Sequence, residues 1–370
     1  MQTSFLDKLK KNSGWLYTAL YIWLIFSSFI KQDFYEMTGK YATLITFLLL
    51  ALLAFINIDL KKAEKSEKLE ILLFFITAVV TAANLLIIKS GKGAFFVPVD
   101  MALMLLLLPK LEMTDLMRRV TAGSASLLMI WWYAYIHWEY GFNMAGLLYI
   151  IIFMTGEIFA EYMKNDYDLE YMGYVQTGLF FTTLLLTICY HARSAAVCVI
   201  IYALIWKLLP FLSERKLLYR FLIAAATVGS IIFTVFYMLL GKLGINVTIL
   251  YKDILSGRQD IWAELWEAFF KSPLTGIGSS YELKSFFIFE VHNGLFDILT
   301  VHGVVVFALV LFLLVRRLNE TADTPFSYRP DCRLAIAGVF TLLFASFFEN
   351  GFIVPPYNIV FMTLLLLGRE

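Results

Sequence analysis

The hydrophobic positions of this chain lie in long, nearly uninterrupted runs that are separated by short polar segments. These runs recur from Trp15 to Leu367. Because about 20 residues of α-helix cross the roughly 30 Å of bilayer hydrocarbon, each run predicts a membrane-spanning helix. The pattern predicts about twelve spans, at 15–30, 41–58, 69–88, 94–108, 120–137, 144–162, 173–190, 194–212, 217–240, 292–315, 334–348 and 353–367.

The composition agrees with this pattern. Hydrophobic residues make up 60% of the 370 positions and charged residues 16%, against about 45–50% and about 25% in soluble domains. The first run ends in Phe29-Ile30-Lys31 with no small-residue cleavage site, so it predicts a span and not a signal peptide. The expected fold is an all-α polytopic membrane protein in which residues 1–370 form one transmembrane domain.

The distribution of Lys and Arg predicts the orientation. With a cytoplasmic N-terminus, the predicted inner segments hold 20 Lys and Arg and the outer segments hold 10. Positive residues favour the cytoplasmic side. We therefore expect both termini to lie in the cytoplasm.

The longest polar interruption, residues 241–291, is then extracytoplasmic and contains an amphipathic helix at 258–271. Charged side chains occupy one face of this helix, and the other carries Ile261, Trp262, Leu265, Trp266 and Phe269. The apolar face is equally compatible with lying on the membrane surface and with packing on the bundle. Pro273 ends the helix, and Gly276 and Gly278 permit a tight turn with exposed backbone N–H groups.

The order of residues in this loop resembles the signature of the O-antigen ligase/polymerase superfamily, which includes O-antigen ligases and Wzy-type polysaccharide polymerases. The matching pieces are Ser256-Gly257-Arg258-(x3)-Trp262, Ser272-Pro273-Leu274-Thr275-Gly276-Ile277-Gly278, His292-Asn293 and Gly303. A second family feature is an Arg at an outer turn, usually within Ser-Arg-Gly. Here the turn reads His191-Ala192-Arg193-Ser194-Ala195, which keeps the Arg but not its neighbours.

The resemblance implies a GT-C-like, metal-independent glycosyltransferase of the bacterial cytoplasmic membrane, active on its outer face. The donor would be an undecaprenyl-diphosphate-linked oligosaccharide. The expected activity is that of a polymerase, which joins it to another lipid-linked repeat unit of O-antigen, capsule or exopolysaccharide. The alternative is a ligase, which joins it to a lipid A core. The expected partners are the bilayer, a chain-length regulator and a flippase, with no nucleic acid and no cofactor.

Candidate residues follow from this chemistry. Arg193 and Arg258 are predicted to bind the diphosphate, since guanidinium groups stay charged and bind phosphate through paired hydrogen bonds. Their alternative role is to snorkel to lipid headgroups. His292 is the expected base for the acceptor hydroxyl, because histidine titrates near neutral pH. Supporting or acceptor-binding roles fall to His191, Asn293, Gly276, Gly278, Trp262, Glu349 and Asp100.

Other functions are less well matched. No His, Cys or Asp cluster has metal-ligand spacing, and no P-loop or dinucleotide-binding motif is present. A transporter or lipid flippase is the alternative from another class. It typically carries deep charges and broken helices in repeated halves. The sequence shows no internal repeat, and Glu157 and Glu161 are interpreted as structural or as snorkelling to the membrane surface.

Overall fold

The architecture was taken from a computed structural model of the chain. It describes residues 5–29, 32–60, 63–131, 142–189, 191–245, 248–249, 252–253, 255, 257–284, 291–354 and 357–369. Ser256 of the loop motif and parts of the predicted spans 15–30, 120–137, 173–190 and 353–367 lie outside these residues.

The described part of the chain is almost entirely helical. Its helices are α1 (Phe5–Lys11), α2 (Ser13–Phe29), α3 (Gln32–Asn57), α4 (Lys65–Ile88), α5 (Phe96–Leu107), α6 (Asp115–Trp131), α7 (Phe142–Tyr167), α8 (Met172–Cys189), α9 (Arg193–Glu214), α10 (Lys216–Ala226), α11 (Val228–Lys242), α12 (Arg258–Lys271), α13 (Gly294–Glu320), α14 (Pro330–Ala345) and α15 (Tyr357–Leu367). Two short strands, β1 (Thr248–Ile249) and β2 (Lys252–Asp253), pair antiparallel in the segment before α12.

Among the described residues, five helical segments are long and apolar enough to cross a membrane: Lys65–Ile88, Gly93–Lys110, Met172–Cys189, Arg193–Glu214 and Gly294–Asp323. The bent pair α10 and α11 would make a sixth, and two shorter apolar helices lie at Tyr41–Asn57 and Tyr357–Leu367. A helix overlaps each of the twelve predicted runs. The chain is a helical membrane protein, but length and hydropathy do not confirm twelve crossings.

The helices form a buried centre with lipid-facing helices around it. Every residue of α15 is buried, as is nearly every residue of α14. The apolar windows of α4 and α8 are only 17% and 11% buried inside the protein. Water would oppose that much exposed apolar surface, so lipid must cover these helices.

Ion pairs and one hydrogen bond tie three helices together at what we call the Arg317 end of the bundle. Glu70 of α4 pairs with both Arg316 and Arg317 of α13, and Arg317 Nε donates to the carbonyl of Leu105 in α5 at 2.7 Å. Arg317 and Glu70 are both buried. Arg317 also pairs with Glu320, so these buried charges are compensated within one network that joins α4, α5 and α13.

The helix α13 is broken at Gly303, which has φ 87° and ψ 165°. The segment Pro273–Gly278 pairs with the unwound turn: Ile277 N–H donates to the Thr300 carbonyl at 2.9 Å, and Gly278 N–H to that of Val301 at 3.0 Å. Val304 N–H donates to the Pro273 carbonyl at 2.9 Å. These bonds replace those that the helix loses, which buried backbone requires.

The predicted span at 292–315 lies largely within the candidate membrane span Gly294–Asp323, and the structure adds that its helix is interrupted at Gly303. The turn at Gly276 and Gly278 is also not an open nest of N–H groups. Gly276 N–H bonds to the Ser272 carbonyl at 2.9 Å, and the N–H groups of Ile277 and Gly278 are bonded within the protein.

Candidate functional site

The helix predicted at 258–271 is confirmed as α12, and it packs on the bundle. Ile261, Trp262, Leu265 and Phe269 are buried against α11 and α13. Of the two orientations compatible with the sequence, the structure therefore shows the packed one. The charged face carries Glu264, which accepts hydrogen bonds from Tyr281 Oη at 3.3 Å and from Lys284 N–H at 2.7 Å. Burial and the adjacent Glu264 carboxylate raise the pKa of Tyr281, so the phenol remains the donor.

Trp262 fixes the position of α12 beside the first turn of α13. Its indole Nε1 donates to the carbonyl of Val291 at 2.6 Å, and its side chain is fully buried. Arg258 precedes Trp262 by four residues, so the two side chains share one face of the helix. One face of α12 therefore carries both Trp262, which anchors the helix to Val291, and Arg258, whose guanidinium enters the site.

Glu349 joins the two principal candidates. Arg258 Nη2 lies 2.9 Å from Glu349 Oε1, and His292 Nδ1 lies 3.3 Å from Glu349 Oε2. The three side chains are 16%, 26% and 22% exposed for Arg258, His292 and Glu349. They are half-buried, so their interactions are stronger than in bulk water while the site stays reachable.

The backbone of His292 is held in an unusual conformation. Its φ is +51°, in the left-handed region that residues other than glycine rarely adopt. Such a conformation costs about 1–3 kcal/mol and persists where the surrounding structure enforces it. It places the imidazole immediately before the start of α13, facing Glu349.

Asn293 enforces this turn, and its contacts are those of a helix cap. Its Oδ1 accepts from Phe296 N–H at 3.0 Å and from Ser230 Oγ at 2.7 Å. Its Nδ2 donates to Thr234 Oγ1 at 3.2 Å and to the Phe347 carbonyl at 3.4 Å. Fully buried with its amide used in this way, Asn293 positions the site and is not placed to touch an acceptor.

Arg193 lies at the same end of the bundle as Glu349. Contacts with α7 show the relative directions of α9 and α14. Phe153 of α7 contacts Tyr202 of α9. Further along α7, Glu161 interacts electrostatically with Arg333 of α14, and the Arg333 guanidinium lies over the Trp206 ring of α9 at 4.7 Å. Met154 of α7 lies beside Gly338 of α14. Helices α9 and α14 therefore run antiparallel.

Helical rise then gives the level of Arg193. It lies about 20 Å along α9 from Trp206, and Ala345 lies about 18 Å along α14 from Arg333. Arg193 is thus level with the last turn of α14, just before Glu349. His191 precedes it at φ +55°, with an exposed side chain.

Two further polar residues at this end were not predicted as a pair. Asn350 Nδ2 donates to Asp297 Oδ2 at 3.0 Å, and Asp297 occupies the first turn of α13. The signal available in the sequence was position: Asp297 follows Asn293 by one helical turn, and Asn350 follows Glu349. A second carboxylate therefore contacts the residue that follows Glu349.

Asp100 is not part of this group. It is fully buried in α5, no hydrogen bond or ion pair joins it to Arg258, His292 or Glu349, and neither carboxylate oxygen has a hydrogen-bond partner among the described residues. Within the same part of the chain, no set of three or more His, Cys, Asp or Glu side chains is placed to hold a metal ion.

Comparison with known proteins identifies no relative: no protein-family model, curated protein or solved structure matches the chain.

Proposed function

We propose that this membrane protein is a glycosyltransferase that takes a glycan from an undecaprenyl-diphosphate carrier and transfers it to a sugar hydroxyl. The single observation that carries the proposal is the shared carboxylate of Glu349, which holds Arg258 on one oxygen and His292 on the other. The reaction needs a cation for the departing diphosphate and a base for the attacking hydroxyl. The three side chains supply both within one contact network.

Glu349 gives His292 the form that a base requires. When the Nδ1–H group donates to the carboxylate, the ring lone pair is on Nε2. Nε2 then accepts the proton of the acceptor hydroxyl as the hydroxyl oxygen bonds to the anomeric carbon. The same carboxylate stabilises the imidazolium that results, as the acid does in a catalytic triad.

Arg258 and Arg193 serve the leaving group. As the anomeric C–O bond breaks, its electron pair departs with the lipid diphosphate, and guanidinium groups offset that charge. Of the three guanidinium nitrogens of Arg258, only Nη2 donates a hydrogen bond to a described residue. The other N–H groups of this side chain can therefore hold a phosphate oxygen. Arg193 would approach from the start of α9.

The predicted inner segments, which include Arg317, hold 20 Lys and Arg against 10 in the outer segments, and this excess supports an extracytoplasmic location for the site. The proposed location is the bacterial cytoplasmic membrane, with both termini inside. The proposed chemistry is shared by a polymerase of repeat units and a ligase that uses lipid A core, and we propose the polymerase. A chain-length regulator and a flippase are its proposed partners.

The direct test mixes the purified protein with an undecaprenyl-diphosphate repeat unit and separates the products by length. A ladder supports the polymerase, and a single transfer that requires added lipid A core supports the ligase. His292→Ala should reduce transfer by about 10²–10⁴-fold, the usual contribution of a general base. Lys271→Ala, on the exposed face of α12, is the matched control. Full activity in His292→Ala, Arg258→Ala and Arg193→Ala would refute the site.

A transporter or flippase is the second candidate, and the break in α13 favours it. Transport proteins commonly place unwound turns near the middle of spanning helices. Here Gly303 interrupts a helical segment that passes the criteria for a membrane span. Liposomes with a fluorescent lipid-linked sugar distinguish the two: movement between leaflets without glycosidic bond formation supports transport.

A further inference from the structure

A groove outside the proposed active site opens between α10, α11 and α13. Its volume is about 510 Å³, and its apolar walls include Ile223, Ala224, Val228, Val315 and Ala322. A second cavity of about 850 Å³ continues along α13 and shares Val315, Asn319 and Asp323 with the first. The two together form an apolar trough along the outside of a membrane-spanning helix.

The mouth of this groove is basic and lies at the Arg317 end. Lys216 and Arg220 line it, and Lys216 Nζ lies 2.9 Å from Asp323 Oδ1. Arg220 has no carboxylate within 4.0 Å among the described residues, and its side chain is exposed. The mouth therefore carries a net positive charge at one end of an apolar trough.

The bend between α10 and α11 creates the opening. The two helices meet at Thr227 with an angle of 49°, which tilts α10 away from the line of α11. On its other side, α10 exposes Leu217 (80%) and Phe221 (71%). A short helix with exposed apolar side chains beside basic ones belongs at the boundary between hydrocarbon and headgroups.

We propose that this groove binds one anionic phospholipid, with its phosphate on Arg220 and Lys216 and an acyl chain along Ile223, Val228 and Val315. The apolar walls require a chain, which a free anion lacks. The basic mouth requires a headgroup with a net negative charge, and the headgroup of a zwitterionic lipid has none. Basic pockets between helices are known to select lipids on this physical basis.

The test measures lipid-dependent stability of the full chain in detergent. Adding phosphatidylglycerol should raise Tm and yield a protein–lipid complex by native mass spectrometry, whereas phosphatidylcholine and inorganic phosphate should do neither. Arg220→Gln should weaken phosphatidylglycerol binding about tenfold, the effect of losing a charged hydrogen bond. Arg215→Gln is the matched control, because Arg215 lies in the same segment but covers the Phe211 ring at 4.1 Å and does not line the groove.

A second variant separates the groove from a diffuse charge effect. Ala224→Phe leaves every charge in place and fills the apolar wall, so it should abolish the phosphatidylglycerol effect. The proposal fails if Arg220→Gln and Ala224→Phe both bind phosphatidylglycerol like the unmodified protein. It also fails if phosphatidylcholine binds equally, or if inorganic phosphate alone reproduces the rise in Tm. None of these results depends on glycosyl transfer.

Discussion

His292 Nδ1 lies 3.3 Å from Glu349 Oε2, on the carboxylate whose other oxygen lies 2.9 Å from Arg258 Nη2. Glu349 comes from the turn after α14, whereas the two residues it joins come from the start of α12 and the residue before α13. The contact therefore unites three separate segments of the chain, and substitution of Glu349 tests whether they act together.

Replacing Glu349 with Gln should lower the turnover of glycosyl transfer by about 10²-fold or more, since the amide cannot stabilise an imidazolium as a carboxylate does. The KM for the acceptor should change little, because Gln preserves the size of the side chain. Steady-state kinetics with a labelled acceptor measure both. Glu267→Gln on the exposed face of α12 should behave like the unmodified enzyme. Equal activity in both variants would remove Glu349 from the mechanism.

Replacing Arg258 with Lys keeps the positive charge but removes the planar set of donors. We expect the KM for the lipid-diphosphate donor to rise about tenfold, and Arg258→Ala to raise it further, because paired hydrogen bonds to phosphate are lost. Donor titration at saturating acceptor measures the effect. If Lys271→Ala produced the same rise as Arg258→Ala, the cause would be the general charge of α12 and not Arg258.

Replacing Trp262 with Phe removes the indole N–H that donates to Val291 and leaves most of the buried ring. The loss should cost about 1–3 kcal/mol, the penalty for an unsatisfied buried carbonyl. It should also reduce transfer, because α12 would no longer hold Arg258 beside Glu349. Trp266→Phe is the comparison, since Trp266 stacks on Phe296 at 5.7 Å and its indole N–H donates no hydrogen bond to a described residue. A Trp262→Phe enzyme with normal Tm and activity would contradict the anchoring role.

Replacing Gly276 or Gly303 with Ala should strongly destabilise the fold. A Cβ at Gly276 would lie 2.3 Å from the Val301 carbonyl oxygen, and one at Gly303 would lie 2.2 Å from that of Leu274. Positive φ adds about 1–2 kcal/mol and overpacking about 1–3 kcal/mol. Thermal unfolding in detergent should show a clear fall in Tm. Gly178→Ala, where a Cβ would meet nothing within 4 Å, should not lower it.

The proposed orientation can be tested with single cysteines. Cys189 is exposed, whereas Cys198 and Cys332 are buried, so a Cys189→Ser background removes the accessible thiol. In that background, a membrane-impermeant maleimide should label Lys271→Cys in intact cells and Asp323→Cys only after permeabilisation. The reverse pattern would place the proposed site in the cytoplasm and rule out an extracytoplasmic donor.

The helical class and the position of α12 could be predicted because they depend on local patterns. Twenty-residue apolar runs indicate spans, and the spacing from Ile261 to Phe269 indicates one apolar face. Whether that face meets lipid or protein depends on what else the chain places beside it. The answer came from α11 and α13, which pattern analysis does not position relative to α12.

The members of the site were predicted better than their contacts. Arg258, His292 and Glu349 were each candidates by residue type and position, but their junction depends on the turn after α14 folding back over the start of α13. Asn293 was expected to support the site or bind the acceptor, and its buried bonds to Phe296 N–H, Ser230 and Thr234 identify a helix cap. Asp100 was expected to support the site or bind the acceptor, and the structure shows no hydrogen bond or ion pair between its side chain and Arg258, His292 or Glu349.

The break at Gly303 was not predicted because the surrounding sequence, rich in valine, reads as one apolar run. A single glycine in an apolar run is usually tolerated within a helix. The conformation of Gly303 is set by its contact with Gly276, 27 residues earlier. Hydrophobic periodicity is read over the length of one helix, so it does not detect that contact.

The close approach of Gly276 and Gly303 also limits how this chain can diverge. At either position the clash of an added methyl group is with main-chain atoms of the other segment. No change of side chain elsewhere can relieve it, so neither glycine can be replaced first and compensated later. Evolution must therefore keep Gly276 and Gly303 together, although they lie far apart in the sequence. Related proteins that retain the backbone pairing between the 273–278 segment and α13 should have glycine at both positions. Those that lack either glycine should lack the pairing.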